Sequence, residues 1–249
     1  FSGFGTQKLE DEAKKLFPQS RIDRLDRDTV KGRESFESVY RKMNLGEIDI
    51  LIGTQMITKG HDFPNVTLVG VIYADISLHI PDFRSAERSF QLLTQVAGRA
   101  GRGKVPGLVI IQSFLPDHYV FDFAKEHDFR GFSEKELALR KKLKYPPFTR
   151  MVSIQIESEH EQAGEIFANS IQKGLARILK GTNDIEVLGP ARAVFYQINN
   201  RFRRHLILRS YNHRKLHLIL RRLYETPEIK KSSRSKVKLI LDVDPVNLM

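Results

Sequence analysis

Apolar residues recur along the first 115 positions in two alternating rhythms. Leu9, Ala13, Leu16 and Phe17 fall at helical spacing, and Phe36, Val39, Tyr40 and Met43 repeat that spacing. Between and after them stand short apolar runs, Ile48 to Ile52, Val66 to Ala74 and Leu108 to Ile111. These runs are β-branched and nearly continuous, which predicts strands buried on both faces, as in a parallel sheet covered by helices. Phe90, Leu93, Val96 and Ala97 predict one more helix. The alternation predicts an α/β domain.

From His118 to Tyr145 the pattern is helical and heavily charged, and it stops at Pro146-Pro147, the expected domain boundary. Beyond it, Met151 to Ile156 alternates as a strand and Gln162 to Leu179 reads as a helix. Val187 to Ile198 and His205 to Leu208 predict two strands joined by a turn around Asn199-Asn200. Leu216 to Tyr224 predicts a helix and Val237 to Val243 a last strand. The order βαββαβ is that of a small split-βαβ, α+β domain. The expected division is residues 1–116, a helical connector over 117–147, and a C-terminal domain over 148–249, a length that suits two ordinary domains.

Charge sharpens this picture. Of the net +11, residues 148–249 carry 18 Lys and Arg against 10 acids, whereas residues 1–147 carry 23 against 20. Phe195 to Lys238 holds thirteen basic residues with only Glu225 and Glu228 as acids, a field that attracts polyanions. The chain has no cysteine, which excludes disulfides and thiolate zinc sites within it and makes a cytoplasmic address the default. No apolar run approaches the roughly 20 residues of a membrane span, and no signal peptide is visible. A start at Phe1 leads us to expect a piece of a longer protein.

The stretch QVAGRAGRGKVPG, residues 95–107, supports two readings. From Gly98 it nearly spells the phosphate-cradling G-x-x-x-x-G-K-[ST] loop. That loop needs a strand before it and a helix after it, so that backbone N–H groups face the phosphates. Here a helix leads in, Val105 replaces the Mg²⁺-holding Ser or Thr, and Pro106-Gly107 opens a strand, so the phosphate-loop reading fails. From Gln95 it is Q-x-x-G-R-x-G-R, with Arg99 and Arg102 three apart and expected to share a helical face, and with Gly98 and Gly101 permitting close approach. Two guanidiniums there would reach a γ-phosphate supplied by another domain. A second decoy, Asp11-Glu12-Ala13-Lys14, lies within an amphipathic helix rather than at a strand end, and reads as a solvated face.

Further motifs give the second reading its context. Gly5-Thr6-Gln7 precedes a helix, Arg24 to Thr29 holds a D-x-D segment, and Gly53 to Pro64 reads GTQMITKGHDFP. Ala74-Asp75 and Pro81 to Arg88 (PDFRSAER) lead into Gln95 to Arg102, and Asp242-Val243-Asp244-Pro245 lies near the end. Together these resemble the second motor lobe of superfamily 2 helicases, and more closely the PriA family of replication-restart primosomal helicases, over almost the whole chain. Gln7 stands where that family's G-T-E motif carries an acid.

The resemblance implies a RecA-like parallel-sheet lobe followed by the small α+β domain. It implies a full-length, ATP- and Mg²⁺-dependent 3′→5′ DNA helicase that reloads the replisome at stalled forks in the bacterial cytoplasm, associated with the nucleoid. The phosphate loop, the acidic box and cysteine-rich zinc sites would lie upstream, so this chain alone is expected to be inactive. By resemblance Arg99 and Arg102 contact the γ-phosphate and Gln95 positions the attacking water or the γ-phosphate; the alternative is a pair of surface arginines after a helix. Gly60 and Asp62 line the nucleotide, and Thr6, Thr54 and Lys59 contact DNA.

Several residues carry alternatives. Asp62 also suits a helix cap, and His61-Asp62 has no further ligands at metal-site spacing. Asp23, Asp26 and Asp28 lack the glycine and terminal Glu of a Ca²⁺ loop, so they read as paired surface charges. Asp242 and Asp244 read as capping or arginine-pairing groups.

Arg201, Arg203 and Arg204, interleaved with Tyr196, Phe202 and Tyr211, suit single-stranded or forked DNA. Phe195 is expected to pack inward. Arg214, Lys215, Arg221 and Arg222 suit an acidic peptide, such as the tail of single-stranded DNA-binding protein, or another primosome protein. Two rivals stand beside this reading: a non-enzymatic nucleic-acid-binding module, and another superfamily 2 translocase.

Overall fold

The computed structural model describes residues 5–26, 33–58, 63, 66–101, 106–232 and 237–248. The chain divides into two compact units, one of residues 1–76 and 88–128, the other of residues 77–87 and 129–249.

The first unit alternates helix and parallel strand. Helix α1 (Thr6–Leu16) is followed by β1 (Ile22–Leu25), α2 (Arg33–Asn44), β2 (Ile50–Gly53), β3 (Leu68–Val71), α3 (Ser85–Ala97), β4 (Leu108–Ile111) and α4 (Tyr119–Lys125). β1 pairs in parallel with β2 from Ile22↔Ile50 to Leu25↔Gly53. β3 pairs in parallel with β4 from Leu68↔Leu108 to Val71↔Ile111. The two ladders form separate two-stranded sheets. Arg21 fastens the start of the first ladder, donating from its backbone N, Nε and Nη2 to the Asp49 carboxylate at 2.8, 2.9 and 2.6 Å.

Of the residues the helical pattern selects, Phe90, Leu93 and Val96 of α3 lie inside, with Leu25, Ile52, Phe63 and Val120, whereas none of α1 is buried and Leu16 and Phe17 are exposed. The tetrad Asp11 to Lys14 lies within α1, whose Lys14 and Lys15 pair with Glu10 and Glu12. One expectation is corrected. Strands β3 and β4 are not buried on both faces: Leu68, Leu108 and Ile110 are more than half exposed. With a two-stranded sheet, alternate residues on one face lack a covering layer.

In the second unit α5 (Phe129–Leu143) precedes β5 (Arg150–Ser158), α6 (Glu161–Ile178), β6 (Ile185–Ile198), β7 (Arg201–Ser210), α7 (His213–Tyr224), α8 (Pro227–Ser232) and β8 (Val237–Val243). The sheet order is β6-β7-β5-β8, antiparallel throughout, which is the split-βαβ arrangement. Val152, Ile154 and Ile156 of β5 and Leu206 and Leu208 of β7 face α6 and α7, meeting Ile171, Leu175, Leu216 and Leu223. Each such side chain, fully buried, contributes about 1.5–3 kcal/mol. The β6–β7 turn sets Asn199 and Asn200 at φ 50° and 59°, both left-handed, as a tight two-residue hairpin requires.

Candidate functional site

The QVAGRAGRGKVPG stretch begins on the last turns of α3. The backbone keeps winding past Ala97, with Gly98 N bonded to Thr94 O and Arg99 N to Val96 O. Gln95 and Arg99, four apart, therefore share a side, and both are half-buried. The winding stops at Gly101, whose φ is +76°. Gly101, in the left-handed region, ends the helix. Arg102, like Lys59, Gly60 and Asp62, lies outside the described residues.

Glycine is required at this turn by contact as well as by φ. A Cβ on Gly101 would stand 2.6 Å from Gly107 N, and one on Gly107 would stand 2.2 Å from Gly101 N and 2.3 Å from Ala100 C. Gly101 N also donates to Val66 O at 3.2 Å, and Leu108 N to Thr67 O at 2.8 Å. The arginine-bearing turn is thereby clamped to the amino ends of β3 and β4. The sequence singled out Gly98 and Gly101 for close approach. Gly101 makes one, whereas a Cβ on Gly98 would meet only ordinary contacts at 3.5 Å.

Thr6, Asp26 and Thr54 gather elsewhere, at the carboxyl ends of β1 and β2. The Thr6 hydroxyl donates to Asp26 Oδ2. Arg24 Nε lies 3.5 Å from the same oxygen and 3.3 Å from Glu10. Asp26 is 4% exposed, which corrects its reading as a surface charge: the strand end buries it and the Thr6 and Arg24 donors compensate. Asp23 does pair at the surface, with Lys42 at 3.6 Å, and Asp28 lies outside the described residues. Thr54 follows β2 directly and is exposed. Carboxyl ends of parallel strands are where α/β sheets bind ligands. At the end of β3, buried Asp75 accepts from Phe114 N at 3.0 Å.

In the second unit the candidate cations fall into two groups. Arg201 bonds Glu159 at 3.0 Å, Arg203 lies 3.5 Å from Glu157, and Arg204 bonds Glu165 at 2.9 Å. Arg203 is 9% exposed and sits opposite Glu157 in the β5–β7 register. Tyr196 is half-buried and engaged as well: its hydroxyl donates to Glu161, Arg192 lies 4.5 Å from its ring centroid, and Phe202 packs at 5.6 Å. The Glu161 carboxyl is held below its ordinary value, first by the Tyr196 hydroxyl and then, against desolvation, by Arg192 and Arg204.

Phe195 corrects its expectation. It is 49% exposed, because the β6–β7 register shifts between Arg192 and Gln197. Tyr211 is exposed too.

On α7, Asn212 caps the helix through Oδ1 to Lys215 N at 3.1 Å. Lys215 pairs with Asp184, and Arg221 lies 3.9 Å from Glu225. Among the described residues Arg214 and Arg222 have no ion-pair partner. They bracket exposed Leu218 at four-residue spacing, opposite the buried Leu216, Ile219 and Leu223. Asp244, with φ 53°, pairs with Arg150 at 2.9 Å, as the pairing reading expects. Sequence reasoning missed the glutamates that neutralise the hairpin arginines. It also missed Gly107 and an ion cluster at the start of α3, in which Glu136 and Arg140, four apart, were the visible signal.

Comparison with known proteins gives these sites their setting. Residues 5–104 match the helicase conserved C-terminal domain, and residues 141–246 match the primosomal protein N C-terminal domain. The chain is thus a helicase C-terminal lobe joined to a primosomal C-terminal domain. The Replication restart protein PriA of Bacillus subtilis (strain 168) is 39% identical over 251 residues, covering all of this chain and 31% of that protein. Its namesake in Synechocystis sp. is 40% identical over 248 residues, covering all of this chain and 29% of that protein. That of Haemophilus influenzae is 37% identical over 247 residues, covering 99% of this chain and 33% of that protein. The chain belongs to the PriA family of replication restart proteins and corresponds to their C-terminal part; it spans about a third of the length of the relatives it matches.

Proposed function

We propose that this chain is the second motor lobe and C-terminal domain of an ATP-dependent DNA helicase acting 3′→5′ in replication restart at stalled forks. The domain division is residues 1–116, 117–147 and 148–249, with α4 of the connector grouped with the first unit and α5 with the second. The observation that carries the reading is the arginine-bearing turn: Gln95 and Arg99 share a side at the end of α3, on a turn clamped by Gly101 and Gly107.

A half-buried guanidinium on a fixed turn fits a phosphate oxygen. Bound ATP supplies the phosphoanhydride to be cleaved. Arg99, with Arg102, neutralises charge that develops on the transferred phosphoryl group, and Gln95 orients the attacking water. Gly60 and Asp62 line the nucleotide, and Thr54 and Lys59 follow the DNA backbone. Thr6 acts through Asp26, since its hydroxyl is engaged there. In this reading Mg²⁺ is held with ATP by the phosphate-binding lobe of the full-length protein, and zinc by its cysteine-rich module.

The ion pairing reorders the polyanion contacts. Phosphates at Arg201, Arg203 and Arg204 have to displace glutamates, whereas Arg214 and Arg222 are available. The Arg214–Leu218–Arg222 stripe, flanked by Lys215 and Arg221, suits an acidic peptide with an apolar residue, such as the tail of single-stranded DNA-binding protein. No described helix is long and apolar enough to cross a membrane. We assign the protein to the bacterial cytoplasm, at the nucleoid.

Calorimetry of this chain with ATP and Mg²⁺, with and without single-stranded DNA, tests the reading. Weak or absent binding is expected. Tight Mg²⁺-dependent binding would restore a phosphate loop at Gly98 and overturn the assignment of Arg99.

A further inference from the structure

Beside the start of α7 lies an open cleft of about 380 Å³, lined by residues of the second unit alone. Two buried hydroxyls fix its walls. Thr149 Oγ1 donates to Lys144 O at 2.8 Å, holding the chain just past the end of α5. Ser210 Oγ donates to Asp184 O at 2.7 Å and accepts from Asn212 N at 3.0 Å, tying the end of β7 to the segment before β6. Thr149 and Ser210 are each 2% exposed, so the cleft is formed in advance of any ligand.

Most of the charge lining the cleft is already matched. Arg209 donates from Nε and Nη2 to Glu186 at 2.9 Å each, and from Nη1 to Leu143 O at 2.9 Å. Lys215 pairs with Asp184. An isolated phosphate or an acidic peptide would therefore compete with a carboxylate at both pairs. What stays available is of another kind. The Asn183 carboxamide and the Tyr211 hydroxyl make no hydrogen bond among the described residues, and Tyr211 is 68% exposed. Lys144 Nζ lies 3.8 Å from Glu186, beyond hydrogen-bond range, on a half-exposed side chain. The cleft thus offers one aromatic face, one amide with both donor and acceptor, and one loosely paired cation.

Those three features match the three parts of one unpaired nucleotide: a flat base, its hydrogen-bonding edge and its phosphate. The cleft lies at the small end of ligand-site volumes, about 300–1,000 Å³. Its open side suits a residue of a continuous strand, whose backbone has to pass in and out. We propose that this cleft receives a single unstacked nucleotide of single-stranded DNA, with Tyr211 as the stacking platform, Asn183 on the base edge and Lys144 on the phosphate. The inference rests on the DNA-binding reading of the C-terminal domain above. It separates Tyr211 from the hairpin arginines with which the sequence interleaves it. Stacking of this kind accepts any base, because every base has a π face.

The test measures binding of an oligothymidylate and of an abasic oligomer with the same number of phosphates, by fluorescence anisotropy over a salt series. It uses this chain, unaltered and carrying Tyr211→Ala, Tyr211→Phe, Asn183→Ala or Lys144→Gln. Stacking predicts that the unaltered chain prefers the oligothymidylate. Tyr211→Ala should weaken that binding about 5- to 150-fold, with the salt slope unchanged and the abasic oligomer bound as before. Tyr211→Phe keeps the ring and should bind like the unaltered chain, and Asn183→Ala should weaken binding of the base-bearing oligomer alone. Lys144→Gln should lower the log–log salt slope by about 0.7 for both oligomers. Unchanged affinity in Tyr211→Ala, or an equal loss for both oligomers, overturns this inference and leaves the DNA reading in place. Should Tyr211→Ala fail to fold, Asn183→Ala and Lys144→Gln decide, and unchanged binding in both overturns the inference. If the unaltered chain binds neither oligomer at low salt, the DNA reading of the domain falls and this inference with it.

Discussion

The contact between Gly101 and Gly107 makes a sharp prediction, because three glycines near one another should respond differently to the same added methyl group. A Cβ on Gly107 would lie 2.2 Å from Gly101 N and 2.3 Å from Ala100 C, and both neighbours are backbone that no rotamer change can move aside. Overpacking of this kind costs about 1–3 kcal/mol. Gly101→Ala adds about 1–2 kcal/mol for a Cβ at positive φ, the observed φ being +76°. Gly98→Ala meets no contact shorter than 3.5 Å and gains up to about 1 kcal/mol of helix propensity.

Amide hydrogen exchange reads these changes locally. At 1.4 kcal/mol per factor of ten, Gly107→Ala should speed exchange in β4 about 5- to 150-fold. The reporting amides are Leu108 N, bonded to Thr67 O, and Gln112 N, bonded to Val71 O. Gly98→Ala should leave them as slow or slower. Wild-type protection of β4 in Gly107→Ala would refute the close approach and the clamped turn built on it.

Two further outcomes follow from the charges. Arg214→Ala and Arg222→Ala should each flatten the salt dependence of single-stranded DNA binding by about 0.7 in log–log slope, whereas Arg203→Ala should instead cost on the order of 1–3 kcal/mol of stability by leaving Glu157 short of a partner; a reversed pattern in filter binding and urea unfolding would contradict the two-group reading. The Arg21 side chain, and then its backbone N–H, hold Asp49 down from 3.8 to about 2, so the pair's stabilisation is complete above the ordinary aspartate value and disappears as pH falls through about 2. In acid-unfolding titrations Asp49→Asn should therefore be less stable than wild type at neutral pH and converge with it at the acid extreme; parallel curves at every pH would contradict the assignment.

What the sequence made legible were elements whose signals are local. Leu108 to Ile111 and Val237 to Val243 are strands over the expected residues, and the two asparagines of the β6–β7 hairpin marked its turn. β1 carried no apolar run, because two of its four residues, Asp23 and Arg24, are charged. The helical stretch from His118 breaks where His127 adopts φ 53° and Asp128 N returns to Phe123 O, a stop without glycine or proline to announce it.

Function followed the same division. Gln95, Arg99 and the motif spacing were visible in the sequence. The neutralisation of Arg201, Arg203 and Arg204 was not, since Glu159, Glu157 and Glu165 stand about forty residues away and meet them only once β5, α6 and β7 pack. Nor was the grouping of residues 77–87 with the C-terminal unit, which depends on Tyr145, Arg140 and Leu248 coming together around Phe83, Glu87 and Asp82.

The most direct test of the central claim is single-turnover ATP hydrolysis by full-length protein bearing Arg99→Ala, with nucleotide and DNA binding measured on the same preparation. An arginine that acts only as charge develops on the phosphoryl group predicts a rate lower by about 10³-fold or more, with both ligands still bound. An unchanged hydrolysis rate would contradict it, and would reduce Arg99 to a surface residue at the end of a helix.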